Sequence, residues 1–463
     1  MSHHVYVIGL DDFNAQTLER LPHANVQNAN NTDANNTDAD NTDADNTDAN
    51  NKANDHVTFH PLLEVDRVKD VESGQVSMKQ LHNEARKVLT DAPRVDGVMG
   101  YWDFPVQTMV PLLCREFDLP GPSIEGVLRC EHKLWSRLEQ RHAASEVVPA
   151  FHAVDPFADA PLEALEFDYP FWLKPIKGTD SSLSFLVEND QDAEHALTQL
   201  RQDIGTFAEP FGYLLEQASL PEDIAAYPAH TCLAEKPLAG EQCTVSGYVS
   251  DGKVTVYGII DSLTYEDVSS FLCYRYPSQL PEDVQARMRQ HSQQVMQQLE
   301  VDRMAFNIEF FYDDASDQLG LLEINPRISQ SHGEMYDKVD GLPNHKVITD
   351  LALGRNPQLP RGQGQHRWAA KYFWRHFEDA IVTHVPDEDA LKDIHDRYEG
   401  AIVQLNVSEG VQLSSLLEQD SYSYDLAHIY VGADRPDDLH TLFEKITKEL
   451  EIGLQPVDEF SVQ

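Results

Sequence analysis

Two glutamates, an asparagine and an arginine flank a short polar turn. The chain runs Phe306-Asn307-Ile308-Glu309-Phe310-Phe311, turns through Asp313–Gly320, and continues Leu321-Leu322-Glu323-Ile324-Asn325-Pro326-Arg327. Two apolar runs separated by a turn read as an antiparallel hairpin. Side chains at i and i+2 of a strand share a face, so Glu323 and Asn325 point the same way and Glu309 on the partner strand can join them. Two carboxylates and an amide oxygen converging from apolar strands make a hard-oxygen site, suited to Mg²⁺ or Mn²⁺ and not to zinc. Arg327, just beyond, can reach a phosphate with both arms of its guanidinium. Two glutamates on an edge hairpin could as readily face solvent. The Asn-Pro-Arg that follows favours a site, because the proline ends the strand and leaves the arginine projecting over the same edge.

A second segment carries a cation. Phe171-Trp172-Leu173-Lys174-Pro175 reads as a buried strand ending in a lysine, followed by Ile176-Lys177-Gly178-Thr179-Asp180-Ser181-Ser182. Backbone N–H groups and hydroxyls of such a small-residue turn, those of Ser181 and Ser182 included, can cradle anionic oxygens. A lone lysine is more commonly a solvated surface group. The chain has no Gly-x-x-x-x-Gly-Lys-Ser/Thr loop, no His-Glu-x-x-His and no Gly-x-Ser-x-Gly, which removes three common catalytic frameworks.

The Glu…Glu-x-Asn-Pro-Arg arrangement resembles the ATP-grasp superfamily, over about residues 5–353 of this chain. The resemblance implies ATP as cosubstrate and Mg²⁺ or Mn²⁺ held by Glu309, Glu323 and Asn325. Arg327 is then set against the transferring phosphate or the substrate. It further implies that Lys174 and Lys133, the latter in Cys130-Glu131-His132-Lys133-Leu134-Trp135 at a helix start, contact the nucleotide phosphates. The 177–184 loop, with Ser181 and Ser182 in place of the family's usual glycines, is implied to close over them. Leu233-Ala234-Glu235-Lys236-Pro237-Leu238 resembles the family's adenine hinge, in which backbone groups from Glu235 through Lys236 to Leu238 meet the base and Gln242 takes the ribose. Many members have Glu at that ribose position, and here Glu241 is adjacent to Gln242. Leu214-Leu215-Glu216-Gln217 is a rival hinge. Arg275, Ser331 and His332 lie where the family places contacts to the acceptor substrate. The activity implied is an ADP-forming carboxylate–amine ligase using an acyl phosphate, with small-molecule acid and amine partners and room for a homodimer. A biotin-carboxylase-like enzyme and a nucleotide-binding regulator without turnover are the alternatives.

These residues need elements to hold them. Val5–Leu10 followed by a helix at Ala15–Leu21, then strands at Val57–Leu63 and Val95–Met99 and helices at Met78–Leu89 and Val106–Phe117, predict an open α/β unit over residues 1–122. No Gly-x-Gly-x-x-Gly follows its first strand, so this Rossmann-like unit is not expected to bind a dinucleotide. The loop Gly100-Tyr101-Trp102-Asp103-Phe104-Pro105 falls at a strand's C-terminal end, where such sheets take ligands. A degenerate Asn-Thr-Asp-Ala-Asn/Asp repeat interrupts the unit at about residues 24–55. It has too little apolar surface to fold and is expected to be a disordered insertion, not a calcium loop. Residues 123–354 are expected to form the ATP-grasp domain, with a lid over about 140–240 and a hairpin turning at Asp251-Gly252. A linker rich in Pro, Gly and Gln at 355–366 leads to a small α+β domain at 367–463.

Composition narrows the partners. The chain has 463 residues, with 35 basic against 78 acidic side chains, a net −43. Residues 23–56 hold seven Asp and one Lys, which leaves 71 acidic against 34 basic elsewhere. The negative charge is thus spread over the folded body. Such a surface repels phosphate backbones and anionic lipids, so no nucleic-acid or membrane partner is expected. A diffuse acidic surface is also what adaptation to high salt produces. No run of about 18 apolar residues occurs, and the N-terminus lacks a secretory pattern. Five scattered cysteines without Cys-x-x-Cys indicate reduced thiols in a cytoplasmic setting.

Overall fold

The computed structural model describes residues 2–27, 56–179, 182–416 and 423–457. The Asn/Asp repeat and Ser181 lie outside these. In the N-terminal unit, strands β1 (Ser2–Ile8), β2 (Ala24–Val26), β3 (His56–Leu63) and β4 (Gly97–Met99) form a parallel sheet in the order β2-β3-β1-β4. Val5, Val7, Phe59 and Val98 are buried in it, as expected for strands covered on both faces. The helix Met78–Asp91 begins with a capping box between Ser77 and Gln80, and the helix Val106–Glu116 starts immediately after the loop at the end of β4. That loop is tied to the end of β1: Trp102 Nε1 donates to the Gly9 carbonyl at 2.7 Å, and Tyr101 Oη donates to the Asp11 carboxylate at 2.9 Å. Asp103 is thereby aimed out of the sheet's C-terminal edge.

A second sheet is antiparallel and small: β5 (Phe151–Val154), β6 (Phe171–Pro175), β7 (Phe185–Val187) and β8 (Cys232–Glu235), in the order β5-β8-β6-β7. The third sheet carries eight strands. Its first part is β9 (Glu241–Ser250), β10 (Lys253–Thr264), β11 (Phe271–Tyr276), β12 (Met304–Asp313) and β13 (Gln318–Asn325). Beyond residue 367 come β14 (Trp368–His376), β15 (Ala380–His384), β16 (Ile402–Leu405), β17 (Tyr424–Ala433) and β18 (Gly453–Pro456). The order β13-β12-β9-β10-β11-β14-β17-β16 shows that the C-terminal segment extends the central sheet, while β15 and β18 pair separately. The C-terminal unit keeps its own core, in which Ile429 and Val431 pack with Phe443 and Ile446 of the helix Pro436–Glu449. The 355–366 connection therefore does not divide two sheets. The backbone edge of β11 pairs with β14, which satisfies hydrogen bonds that two separate domains would leave exposed.

Beneath the central sheet, Val245, Phe306, Ile308, Phe310 and Leu321 pack against Met288 and Val295 of the helix Glu282–Gln298. Asp251 and Gly252 both take positive φ, 51° and 70°, at the β9–β10 turn, which suits the tight hairpin that Asp-Gly favours. No described helix is long and apolar enough to cross a membrane.

Candidate nucleotide and metal site

Register decides which side chains meet. The β12–β13 ladder sets Glu309 opposite Glu323 and Asn307 opposite Asn325, and directly paired residues share a face. Asn325 Nδ2 donates to Glu309 Oε1 at 3.0 Å and to Asn307 Oδ1 at 3.1 Å, while Asn307 Nδ2 donates to the Arg327 carbonyl at 3.2 Å. Burial, and next the neighbouring Glu323 carboxylate, raise the pKa of Glu309. Burial also works to raise that of Glu323, but the ammonium groups of Lys133 and Lys174 hold it below the ordinary value. Two carboxylates facing each other in a partly enclosed site repel one another, a repulsion that a divalent cation relieves. Among the described residues, no three His, Cys, Asp or Glu side chains gather as a metal site. Two carboxylates and an amide nevertheless fit magnesium, which keeps several waters and takes further oxygens from phosphates.

Cations from three segments surround this pair. The helix Lys133–Ala144 begins at Lys133, with His132 as its N-cap. Lys133 Nζ lies 3.4 Å from the Glu323 carboxylate and 3.5 Å from the Gly178 carbonyl. Lys174, the penultimate residue of β6, lies 2.5 Å from the Glu235 carboxylate at the end of β8, and Arg137 pairs with the same carboxylate. Burial would raise Glu235, but these two cations bring it down to about 2. Lys177 pairs with Glu131 and lies 3.6 Å from Asp103, with both Lys177 and Glu131 buried. Arg327 donates to Asp103 at 2.6 Å. Its Nε is buried without a hydrogen-bond partner, a donor still to be satisfied. Asp103 ties the edge of the N-terminal sheet to the Asn-Pro-Arg turn. Burial raises its carboxyl, yet Arg327 and Lys177 hold it well below the carboxylate range.

The structure thus brings Lys133, Lys174, Glu309, Glu323, Asn325 and Arg327 together. Other expected contacts fall differently. The Lys236 N–H donates to the Ala150 carbonyl at 2.9 Å, and its ammonium to the carbonyls of Asp168 and Pro170 at 3.1 and 3.0 Å. Pro237 has no N–H, so Leu238 is the first residue of this hinge to offer one. The Glu235 side chain serves Lys174 and Arg137, which leaves its backbone alone for any adenine contact. Residues 214–215 finish the helix Gly205–Leu215, which removes the rival hinge. Gln242 donates to Glu309 at 2.5 Å and belongs to the carboxylate pair, not to an open ribose position. The Ser182 N–H is engaged with the Thr179 carbonyl at 2.8 Å.

Arg275 is corrected by strand parity. It pairs across the ladder with Asp261, which pairs with Cys243, and Cys243 is in the core beneath the sheet. Its guanidinium meets Asp261 at 2.8 Å, on the face opposite Glu309 and Gln242. Ser331 and His332 stay on the site side. The Ser331 hydroxyl accepts from Lys371 Nζ at 3.0 Å. His332 is 3% exposed, its Nδ1 has no partner, and its ring meets Tyr274 edge-on at 5.2 Å. Asp103, Glu131, Arg137, Lys177 and Lys371 were not singled out from sequence. Asp103 did lie in a loop marked for ligands, and Lys371 is the one charge within the apolar run Trp368–Trp374.

Residues 167–333 match the family model described as the ATP-grasp domain. Among curated proteins, the carbamoyl phosphate synthase large chain of Thermotoga petrophila is 26% identical over 246 residues, covering 51% of this chain and 20% of that one. The C-terminal section of the same enzyme's large chain from Methanopyrus kandleri is 26% identical over 261 residues, covering 54% and 42%. The match therefore spans less than half the length of these relatives. Among solved structures, an L-amino acid ligase from Bacillus licheniformis superposes with a TM-score of 0.70 at 16% identity, covering 98% of this chain and 99% of that one. Biotin carboxylase from Campylobacter jejuni gives 0.57 at 15% identity, with 86% and 82% coverage. N5-carboxyaminoimidazole synthetase from Staphylococcus aureus, complexed with ADP, gives 0.58 at 13%, with 96% of each chain covered. At these identities the superpositions establish the fold.

Proposed function

This chain carries an ATP-grasp domain, and from that premise we propose that it is an ADP-forming ligase joining a carboxylic acid to an amine. The observation that carries the proposal is the Glu309–Glu323 pair with Asn325, set directly against Lys133. Glu309, Glu323 and Asn325 would hold Mg²⁺ or Mn²⁺, which when bound draws charge from the terminal phosphates of ATP. Lys133 and Lys174 orient those phosphates, and Arg327 presents its unsatisfied Nε–H to an anionic oxygen. Strands β6 and β8, which bring Lys174 and Glu235 to the site, would help keep water from a labile acyl group. A substrate carboxylate oxygen attacks the γ-phosphorus and the bond to the β–γ bridging oxygen breaks, giving ADP and an acyl phosphate. The amine nitrogen then attacks the acyl carbon, the C–O bond to phosphate breaks, and the nitrogen gives up a proton. Backbone groups of Glu235 and Leu238 are the remaining candidates for the adenine edge.

The partners this reading takes are small molecules. The five cysteines are free and buried, which supports a reducing, cytoplasmic setting. The test is release of ADP and phosphate from ATP across a panel of acids paired with amines, with Mg²⁺ present. Sustained turnover should require both members of a pair. AMP and pyrophosphate as products, or ATP consumption driven by bicarbonate and biotin without an amine, would overturn the proposal. Tight ATP binding with no turnover on any pair would favour a regulator.

A further inference from the structure

β11 stops short of its neighbours. It pairs with β10 from Asp261 to Thr264 and with β14 from Ala369 to Tyr372, and after Tyr276 the chain turns away at Pro277. β10 continues past that point through Ile259 to Val256, with β9 on its other side. The segment 361–367 likewise continues the line of β14. Two strand spacings, roughly 9–10 Å, separate these flanking backbones. The place of the missing strand is a cavity of about 560 Å³. The Ser278 N–H, which donates to the Ile259 carbonyl at 3.0 Å, marks its end nearest β11.

One wall of the cavity is fixed, although residues 355–366 read as a linker. The Gly362 N–H donates to the Asp340 carboxylate at 2.8 Å. The Gly364 N–H donates to the Val339 carbonyl and the His366 N–H to the Lys338 carbonyl, both at 2.9 Å. These bonds tie the segment to the end of the helix Gly333–Asp340. A Cβ on Gly364 would lie 2.3 Å from the Lys338 carbonyl oxygen, so glycine alone allows this approach.

The fixed segment presents cations. Arg361 and Arg367 stand at its two ends, and Arg289 reaches the cavity from the helix Glu282–Gln298 beneath the sheet. Arg289 pairs with Glu282 at 3.0 Å, whereas Arg367 makes no ion pair or side-chain hydrogen bond with a described residue. Two aspartates share the lining. Asp340 is committed, since Tyr276 Oη donates to it at 2.6 Å and Arg361 lies 3.8 Å away; Asp434 is exposed. Arginines thus outnumber acids three to two here, in a chain whose acidic side chains outnumber basic ones 78 to 35. His366, 8% exposed in the same lining, has a buried Nε2 without a partner, a group that a ligand or a water held with it can satisfy. None of the lining residues belongs to the carboxylate pair or to the cluster of Lys133, Lys174 and Arg327.

We propose that this cavity is a second ligand site, which takes the phosphate group of a small phosphate monoester on Arg361 and Arg367, with Arg289 behind them. A guanidinium meets two phosphate oxygens at once, which a lysine cannot do. The volume suits a small metabolite. A polyphosphate would bring more negative charge than three arginines offset by two aspartates can balance, so the occupant carries one phosphate. The site stands independently of the ligase reading, because it uses none of the residues on which that reading rests.

The experiment is calorimetric titration of glycerol 3-phosphate, glycerol and D-glycerate into the full chain already saturated with Mg²⁺ and a non-hydrolysable ATP analogue. Wild type should bind glycerol 3-phosphate with a Kd below about 1 mM and the other two at least about tenfold more weakly, the loss of a charge-assisted pair of bonds. Arg361→Gln combined with Arg367→Gln should raise the Kd for glycerol 3-phosphate at least about tenfold. Both side chains are exposed, so the exchange should leave folding intact. Arg327→Gln, at the nucleotide site, should leave this Kd unchanged. Absence of saturable binding to wild type, equal affinity for D-glycerate, wild-type affinity in the double variant, or a loss in Arg327→Gln overturns the assignment. The comparison of the three probes on wild type decides it without any variant.

Discussion

Replacing Lys371 by methionine should stabilise the ligand-free protein, and the size of the gain follows from where the ammonium sits. Burial pushes its pKa from 10.5 down to about 7, opposed by Asp425 and reinforced by Arg375. At 1.36 kcal/mol per pKa unit, a difference of about 3.5 corresponds to roughly 4–5 kcal/mol of native-state cost when the group is charged. Methionine has a similar length and no charge, so it removes that cost. It gives up the Ser331 hydrogen bond and the contacts with the Phe373 and Tyr430 rings, together about 1–2 kcal/mol. A net gain of about 2–4 kcal/mol is expected at pH 6.5. The native pKa lies below the unfolded one, so between about pH 7 and 10.5 the unfolded chain binds more protons and stability rises with pH. The cost is complete below pH 7 and has fallen to roughly 2 kcal/mol by pH 9, so the advantage of the variant should shrink over that interval. Urea unfolding of both proteins at pH 6.5 and 9, without substrates, measures it. A variant less stable than wild type at pH 6.5, or a gain that does not change with pH, would show that Lys371 is satisfied in the free protein.

Three other outcomes are expected. Glu323→Gln keeps the shape of the hairpin and removes one metal-facing charge, so folding should persist while Mg²⁺-dependent turnover falls by at least about a hundredfold; wild-type turnover would take Glu323 out of the metal site. Glu131→Gln strands the buried Lys177, whose other acidic neighbour, Asp103, is 3.6 Å away, and should cost about 3–5 kcal/mol in urea unfolding; an unchanged midpoint would mean the pair contributes nothing. Exchanging residues 28–55 for a Gly/Ser linker should leave the melting temperature within roughly 2 °C, provided the linker has about a dozen residues, because β2 and β3 are parallel and need a crossover of that length. A larger drop would assign the Asn/Asp repeat a structural role.

Periodicity and punctuation made the frame legible. The β12–β13 hairpin, the Asp251-Gly252 turn and the helix beginning at Lys133 all follow from local patterns, because each is specified by residues adjacent in sequence. What local pattern cannot supply is parity across several strands. Arg275 is one residue from Tyr274, yet one faces Asp261 in the underside network and the other faces His332 in the site. That difference depends on pairings running through β10 and β9, which no window of the sequence contains. The same holds for Asp103, which meets Arg327 across 224 positions. The continuity of β14 with β11 was also invisible, since a Pro- and Gly-rich connection looks the same whether it joins two domains or two strands of one sheet.

The two charge defects of this site have opposite signs and a common logic. Glu309 and Glu323 face each other, and burial and mutual repulsion raise the Glu309 pKa. Lys371 is buried, and Asp425 offsets only part of what burial costs its charge. Each costs stability in the empty protein: Lys133 and Lys174 offset Glu323 but Glu309 stays raised, and Asp425 offsets Lys371 only in part, although the same site satisfies Glu131 with Lys177 and Glu235 with both Lys174 and Arg137. A fold able to pair those charges could pair these as well. Leaving a negative surplus at one end and a positive one at the other, four to five strand spacings or roughly 19–24 Å apart on one sheet face, trades stability for ligand affinity. The negative end suits a divalent metal carrying phosphates, and the positive end suits a carboxylate. A protein of net −43 repels both nucleotide and acid at long range, so close-range cations on this face must supply the attraction that its surface does not.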